Sequence, residues 1–155
     1  MIALIQRVIR ASVSIDGDET ACIGFGVLVL VGVEKMDESS HAERLSKRLL
    51  GFRLFNDHAG RMNLDVREVG GGVLLVPQFT LAADTRSGRR PGFSTAATPE
   101  SGRLLFDEFC VEVRKSIPDA VTSTFGANMQ VSLVNDGPVT FWLQSGGSRQ
   151  DERKT

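Results

Sequence analysis

Apolar residues recur along this chain with two different periods. From Met1 to Ile9, and again at Val13 and Ile15, the spacing is near two and the residues favour strands, up to the turn signal Asp16-Gly17-Asp18. Phe25 to Val33 is almost continuously apolar, which predicts a strand covered on both faces. Val73-Leu74-Leu75-Val76 predicts another, after the punctuation of Gly70-Gly71-Gly72. Arg53-Leu54-Phe55 and Met62-Asn63-Leu64 read as short strands on either side of the turn Asn56-Asp57-His58-Ala59-Gly60. Met129 to Val134 alternates, Asp136-Gly137-Pro138 reads as a turn, and Val139 to Leu143 reads as the last strand.

A helical period appears twice. Asp37-Glu38-Ser39-Ser40 caps a helix running to about Leu50, with Ala42, Leu45 and Leu49 on one face and Gly51 as its stop. Thr98 is an N-cap with Pro99 at the first helical position. Leu105, Phe106, Phe109, Cys110 and Val113 then carry a helix to about Ser116, and Pro118 ends it. Residues 82 to 97 form a polar loop. Two main helices among roughly eight short strands predict an α+β fold with a barrel-like antiparallel or mixed sheet. The strands do not alternate strictly with helices, which argues against a doubly wound parallel sheet. One domain is expected over residues 1–144. The polar tail 145–155 has no periodicity and is expected to be disordered.

The 155 residues are 41% hydrophobic and 24% charged, an ordinary composition for one globular domain. Val27 to Val31 is the longest apolar stretch and falls far short of a bilayer span. The N-terminus has neither a basic region before its apolar run nor a small-residue cleavage site, so a cytoplasmic protein without a membrane partner is expected. Cys22 and Cys110 are no disulfide framework, and Cys110 on its helical stripe reads as a small buried hydrophobe. The net charge of −1 argues against gripping long phosphate tracts such as DNA. Positive charge does cluster, at Arg44, Lys47, Arg48 and Arg53 and at Arg86, Arg89 and Arg90. Taken alone, these are solvated faces; they gain meaning only beside a pocket.

Familiar catalytic machinery is missing. His41, early in a helix, and His58, in a turn, are expected to face solvent. No nucleophile elbow, phosphate-cradling loop or zinc spacing occurs, so no metal or cofactor is expected. An enzyme built this way supplies geometry and dipoles to a bond that is already labile. A non-catalytic dimeric module that binds a small molecule explains the same absences. A conventional hydrolase with Thr80 as nucleophile needs a base beside it that the sequence does not reveal.

Two segments stand out at strand ends: Pro77-Gln78-Phe79-Thr80-Leu81-Ala82-Ala83-Asp84 and Asn135-Asp136-Gly137-Pro138-Val139-Thr140. By pattern alone they read more readily as a strand terminus and a plain turn than as a site. Both, however, resemble the signature motifs of the D-aminoacyl-tRNA deacylase family, also called D-tyrosyl-tRNA(Tyr) deacylases. Met1 to Val8, Gly32-Val33-Glu34, Arg61-Met62-Asn63-Leu64, Arg90-Pro91 with Phe93-Ser94, and Asn128-Met129-Gln130-Val131 match as well. The likeness is colinear over roughly residues 1 to 144. One departure is Pro77, where the family usually has Ser; Pro77 has no N–H to donate to substrate.

The resemblance implies a homodimer with the deacylase fold, acting on a D-amino acid esterified to the 3′-terminal adenosine of tRNA. It implies RNA-assisted chemistry, in which a fixed ribose hydroxyl or water acts by proximity. The amides of Phe79 and Thr80 are the candidates to stabilise the oxyanion, and Gln78 the candidate to position the ribose or an amide. It further implies a cis Gly137-Pro138 peptide that enters the other subunit's site, receives the α-amino group on its carbonyls and rejects L side chains. Achiral glycine fits such a site, so glycyl-tRNA is an expected second substrate. Arg7 is implied to hold that peptide, and Phe125 and Met129 to line the pocket beside Pro77; simple core packing explains Phe125 and Met129 nearly as well. Arg86, Arg89, Arg90, Lys47 and Arg48 are candidates for the acceptor-stem phosphates.

Overall fold

The computed structural model describes residues 1–146. Eight strands and two α-helices follow the order β1 (Ile2–Ile15), β2 (Asp18–Ile23), β3 (Gly26–Gly32), α1 (Ser39–Leu50), β4 (Phe55–Asn56), β5 (Met62–Leu64), β6 (Gly72–Pro77), α2 (Pro99–Arg114), β7 (Val121–Thr122) and β8 (Gln130–Gln144). A short 3-10 helix, Phe79–Ala82, follows β6. The main sheet is mixed and runs β2-β1-β3-β6-β7, with β8 also pairing β1, while β4 and β5 form a separate hairpin. β3–β6 and β6–β7 are parallel; the other pairs are antiparallel. The sheet nearly closes into the expected barrel.

β3 and β6 are buried on both faces, as their unbroken apolar runs require. Val27, Val29, Val31, Val73 and Leu75 face the helices in the larger core, while Leu28, Leu74 and Val76 join Val8 and Val13 in a smaller one. The helices pack against the first set. Ala42, Leu45 and Leu49 are buried on α1, and Leu105, Phe106, Phe109, Cys110 and Val113 on α2. Thr98 caps α2 by accepting from the Ser101 amide. Phe109 is completely buried. Phe109→Ala is expected to cost about 3–5 kcal/mol and lower Tm by roughly 10 °C, read by calorimetry.

The structure departs from the sequence pattern in four places. Residues 2–15 form one long strand, and the alternating segments at either side of Asp136-Gly137-Pro138 form another, so the principal strands are long. Asp136-Gly137-Pro138 is no turn between strands: it is an excursion within β8, because β8 pairs β1 on both sides of it. β2 and β7 carry too few apolar residues to be read from period alone. His41 does not face solvent. Its side chain is 16% exposed and lies 3.4 Å from Asp37, and its Nδ1 accepts from the Glu38 amide in the capping box of α1. His58 is exposed, as expected.

Ser145, assigned to the tail by its polarity, is buried; its amide donates to the Met1 carbonyl and its hydroxyl to the His41 carbonyl. The rest of the tail, residues 147–155, lies outside the described residues. Among the described residues no helix is long and apolar enough to cross a membrane.

Candidate active site

β6 delivers the first wall of the site. Beyond Pro77, the Gln78 amide donates to the Val31 carbonyl at 2.7 Å, extending the parallel pairing by one residue. The chain then tightens into the 3-10 helix, which lies close over β3. Gly32 permits this approach: a Cβ there would stand 2.9 Å from Leu81 Cβ and 3.2 Å from the Gln78 carbonyl oxygen. The Phe79 ring packs on Phe93 with centroids 5.1 Å apart, tying the helix to the polar loop.

The opposite wall is the turn at residues 125–129, backed by α2. Phe125 packs beside Phe106 at 6.2 Å, and Gly102 leaves room for its ring, since a Cβ there would come within 3.4 Å of Phe125 Cζ. Between the walls lies a cavity of about 450 Å³, a volume suited to a nucleoside-sized ligand. Pro77, Gln78, Phe79, Phe125 and Met129, all picked from the sequence, line it together. Thr98 and Gly102 line it too. In the sequence Thr98 reads only as a cap, and a helical Gly carries no pattern signal. Among the described residues, none that lines it bears a charge.

Thr80 sits at the rim, exposed, with its hydroxyl accepting from the Gln78 side-chain amide. A carboxamide N–H₂ only donates and takes up no proton, so Gln78 is no general base for Thr80. The amides of Phe79 and Thr80 occupy the first turn of the 3-10 helix, where no intrahelical carbonyl precedes them. Neither donates to another part of the chain among the described residues.

Arg7 sits where the β1–β8 register breaks. Gln6 pairs Thr140 and Val8 pairs Asn135, so Arg7 alone faces the four residues Asp136, Gly137, Pro138 and Val139. The extra β8 residues bulge away, and Arg7 holds their base. It donates from Nε to the Asp136 carbonyl and from Nη1 to the Leu54 carbonyl, each at 2.9 Å, and pairs with the Asp136 carboxylate at 3.3 Å. The Asn135 side chain accepts from the Val139 amide at 2.7 Å, closing the excursion. The Gly137-Pro138 peptide bond is cis. Both residues are exposed, and neither lines the cavity of its own chain.

The basic candidates fare unequally. Arg86 forks onto Asp84, with Nη2 to Oδ2 at 2.7 Å, and holds that carboxyl well below the usual range. Lys47 pairs with Glu43, and Arg48 donates to the Gln144 carbonyl. Arg89 and Arg90 are exposed without such partners among the described residues. None of the five lines the cavity. Burial pushes the Cys110 thiol up to about 12, which leaves it inert.

Residues 4–144 match the sequence pattern of the D-Tyr-tRNA(Tyr) deacylase family. The chain belongs to that family. Membership makes it a hydrolytic enzyme. Among its relatives, a D-aminoacyl-tRNA deacylase of Escherichia coli O1:K1 / APEC is 57% identical over 144 residues, covering 93% of this chain and 99% of that protein. A D-aminoacyl-tRNA deacylase of Shigella boydii serotype 18 matches to the same extent, 57% over 144 residues. Of solved structures, a c-Myc DNA unwinding element binding protein superposes with TM-score 0.91 at 35% identity, covering 95% of this chain and all of that one. A probable eukaryotic D-amino acid tRNA deacylase superposes with TM-score 0.80, covering 92% and 97%; at 18% identity it speaks for the deacylase fold alone.

Proposed function

We propose that this family member hydrolyses the ester between a D-amino acid and the 3′-terminal adenosine of tRNA and spares the L ester, in the cytoplasm. The observation that carries the reading is the uncharged cavity between Pro77-Gln78-Phe79 and Phe125–Met129, with two backbone amides unclaimed at its rim. An aminoacyl ester needs little from the protein. The cavity takes the terminal adenosine and fixes the reacting carbonyl. Water, held beside the neighbouring ribose hydroxyl, adds to that carbonyl by proximity and gives up the proton that passes to the ribose oxygen. The carbonyl oxygen then gains charge, which the Phe79 and Thr80 amides stabilise. The ester C–O bond breaks, and the ribose oxygen leaves with a proton.

Handedness is read by backbone. That Gly137 and Pro138 stand outside their own chain's cavity supports a role for them at the site of a second copy, in a homodimer. The Arg7 anchor supports a rigid element there. The carbonyls of that segment receive the α-amino group, and an L side chain meets the main chain. Such a clash cannot relax as a side-chain contact does. Glycine presents no side chain, so glycyl-tRNA is hydrolysed as well. Of the five basic candidates, Arg89 and Arg90 are the ones free to meet acceptor-stem phosphates.

The test is hydrolysis of D-tyrosyl-tRNA and L-tyrosyl-tRNA by purified protein, with and without chelator. Turnover of the D ester alone, untouched by chelator, is expected; equal handling of both esters overturns the stereochemical part, and no turnover of either leaves the binding-module alternative. Thr80→Ala is expected to keep kcat within about tenfold of wild type, because the hydroxyl has no base. A loss of all turnover at saturating substrate in folded Thr80→Ala protein would make Thr80 the nucleophile.

A further inference from the structure

We propose that Arg103 binds the backbone phosphate next to the terminal nucleoside of the RNA, an inference that rests on the function proposed above. The cavity lining carries no charge, yet an esterified RNA end brings a phosphodiester one nucleotide from the reacting bond. Arg103 is the residue after the lining Gly102 on α2. Its guanidinium carbon lies 5.3 Å from the centroid of the lining Phe125 ring, and its Nη2 donates to the Phe125 carbonyl at 3.4 Å. That bond is at the long limit for N–H···O and engages one of five N–H groups.

The rest of the guanidinium is unclaimed. Glu100 lies one turn before Arg103 and Asp107 one turn after, but Arg103 forms no ion pair among the described residues. Arg67 and Arg86, by contrast, are each forked onto a neighbouring carboxylate. A guanidinium stacked on a ring face keeps its edge donors free, and that edge fits two phosphate oxygens. Stacking also restricts the side chain beforehand, so less conformational freedom is lost on binding. Arg103 is exposed, so a ligand in the cavity reaches it without rearrangement.

The rival role is purely structural: Arg103 as a clamp on Phe125. Two substrates separate the roles, D-tyrosyl-tRNA and the phosphate-free ester 3′-O-D-tyrosyl-adenosine. With Arg103→Ala, KM for the tRNA is expected to rise about tenfold while kcat stays within about twofold, the size of one charge-assisted contact. The slope of log kcat/KM against log salt should become shallower by about 0.7, the value for one phosphate on a single strand. On the adenosine ester, kcat/KM should fall less than twofold. Arg103→Lys should restore the salt slope. Equal losses on both substrates with an unchanged slope would assign Arg103 to the clamp and overturn the proposal, as would no loss on either. Wild-type protein that hydrolyses neither ester overturns the proposed function, and this inference with it.

Discussion

Gly137→Ala protein is expected to fold and to lose at least about 100-fold in kcat/KM on D-tyrosyl-tRNA, the scale of loss that follows a displacement of about 1 Å at a reacting site. Gly137 has φ +143, and a Cβ there would stand 2.5 Å from Val139 Cγ2 and 2.9 Å from the Val139 nitrogen. Neither neighbour yields easily. Val139 is buried and its amide is held by Asn135; on the other side, Arg7 holds Asp136 and would itself lie 3.3 Å from the new carbon. The main chain of the excursion must therefore shift, and with it the carbonyls proposed to receive the α-amino group. Stability should fall by only about 1–3 kcal/mol, because the segment stands outside the core. Gly60→Ala is the control. Its φ of +76 also strains an alanine, but its Cβ meets nothing within 4 Å, so turnover should persist. Wild-type kinetics in folded Gly137→Ala protein would remove this segment from the reaction.

Phe79→Pro should lower kcat by about 100- to 1,000-fold, the usual effect of deleting one oxyanion donor. Phe79 is the first residue of its 3-10 helix, a position that accepts proline because its N–H has no intrahelical partner. Gln78 before it lies outside the α region, with φ −142 and ψ 80, so a following proline meets no helical residue. The substitution thus removes one hydrogen-bond donor and one ring. Phe79→Ala separates the two, since it loses the packing on Phe93 but keeps the amide. Phe79→Ala should act mainly on KM, with kcat within about tenfold of wild type. If both variants fold and share the same kcat, the Phe79 amide stabilises no oxyanion. Steady-state kinetics with circular dichroism decides between these outcomes.

Much of this architecture is written in local pattern. The doubly buried strands β3 and β6 follow from continuous apolar runs, and the helices from their stripes and the Thr98-Pro99 start. The motif Pro77-Gln78-Phe79 reaches the cavity because it directly follows a buried strand. Other features escape such reading for definite reasons. β2 and β7 sit at the ends of the sheet with little apolar content. Asp136-Gly137-Pro138 has the composition of a turn, and only pairing with β1 on both sides makes it an excursion within one strand. His41 looks like a surface helical residue until Asp37 and the capping box enclose it. Arg103 has no motif around it, and its place depends on the Phe125 turn lying against α2.

Local pattern suffices for the α+β class, the two core-facing helices, the paired buried strands and the colinear motifs that mark the family, because period, capping and local chemistry act over a few residues. It takes the folded chain to show that Arg7 faces four residues of β8, that Phe125 and Met129 share a cavity with Pro77, Gln78 and Phe79, and that Gly137 and Pro138 stand apart from it. Those relations join residues up to 132 positions apart, as Arg7 to Val139, and arise from strand register and the packing of α2, which no local pattern encodes.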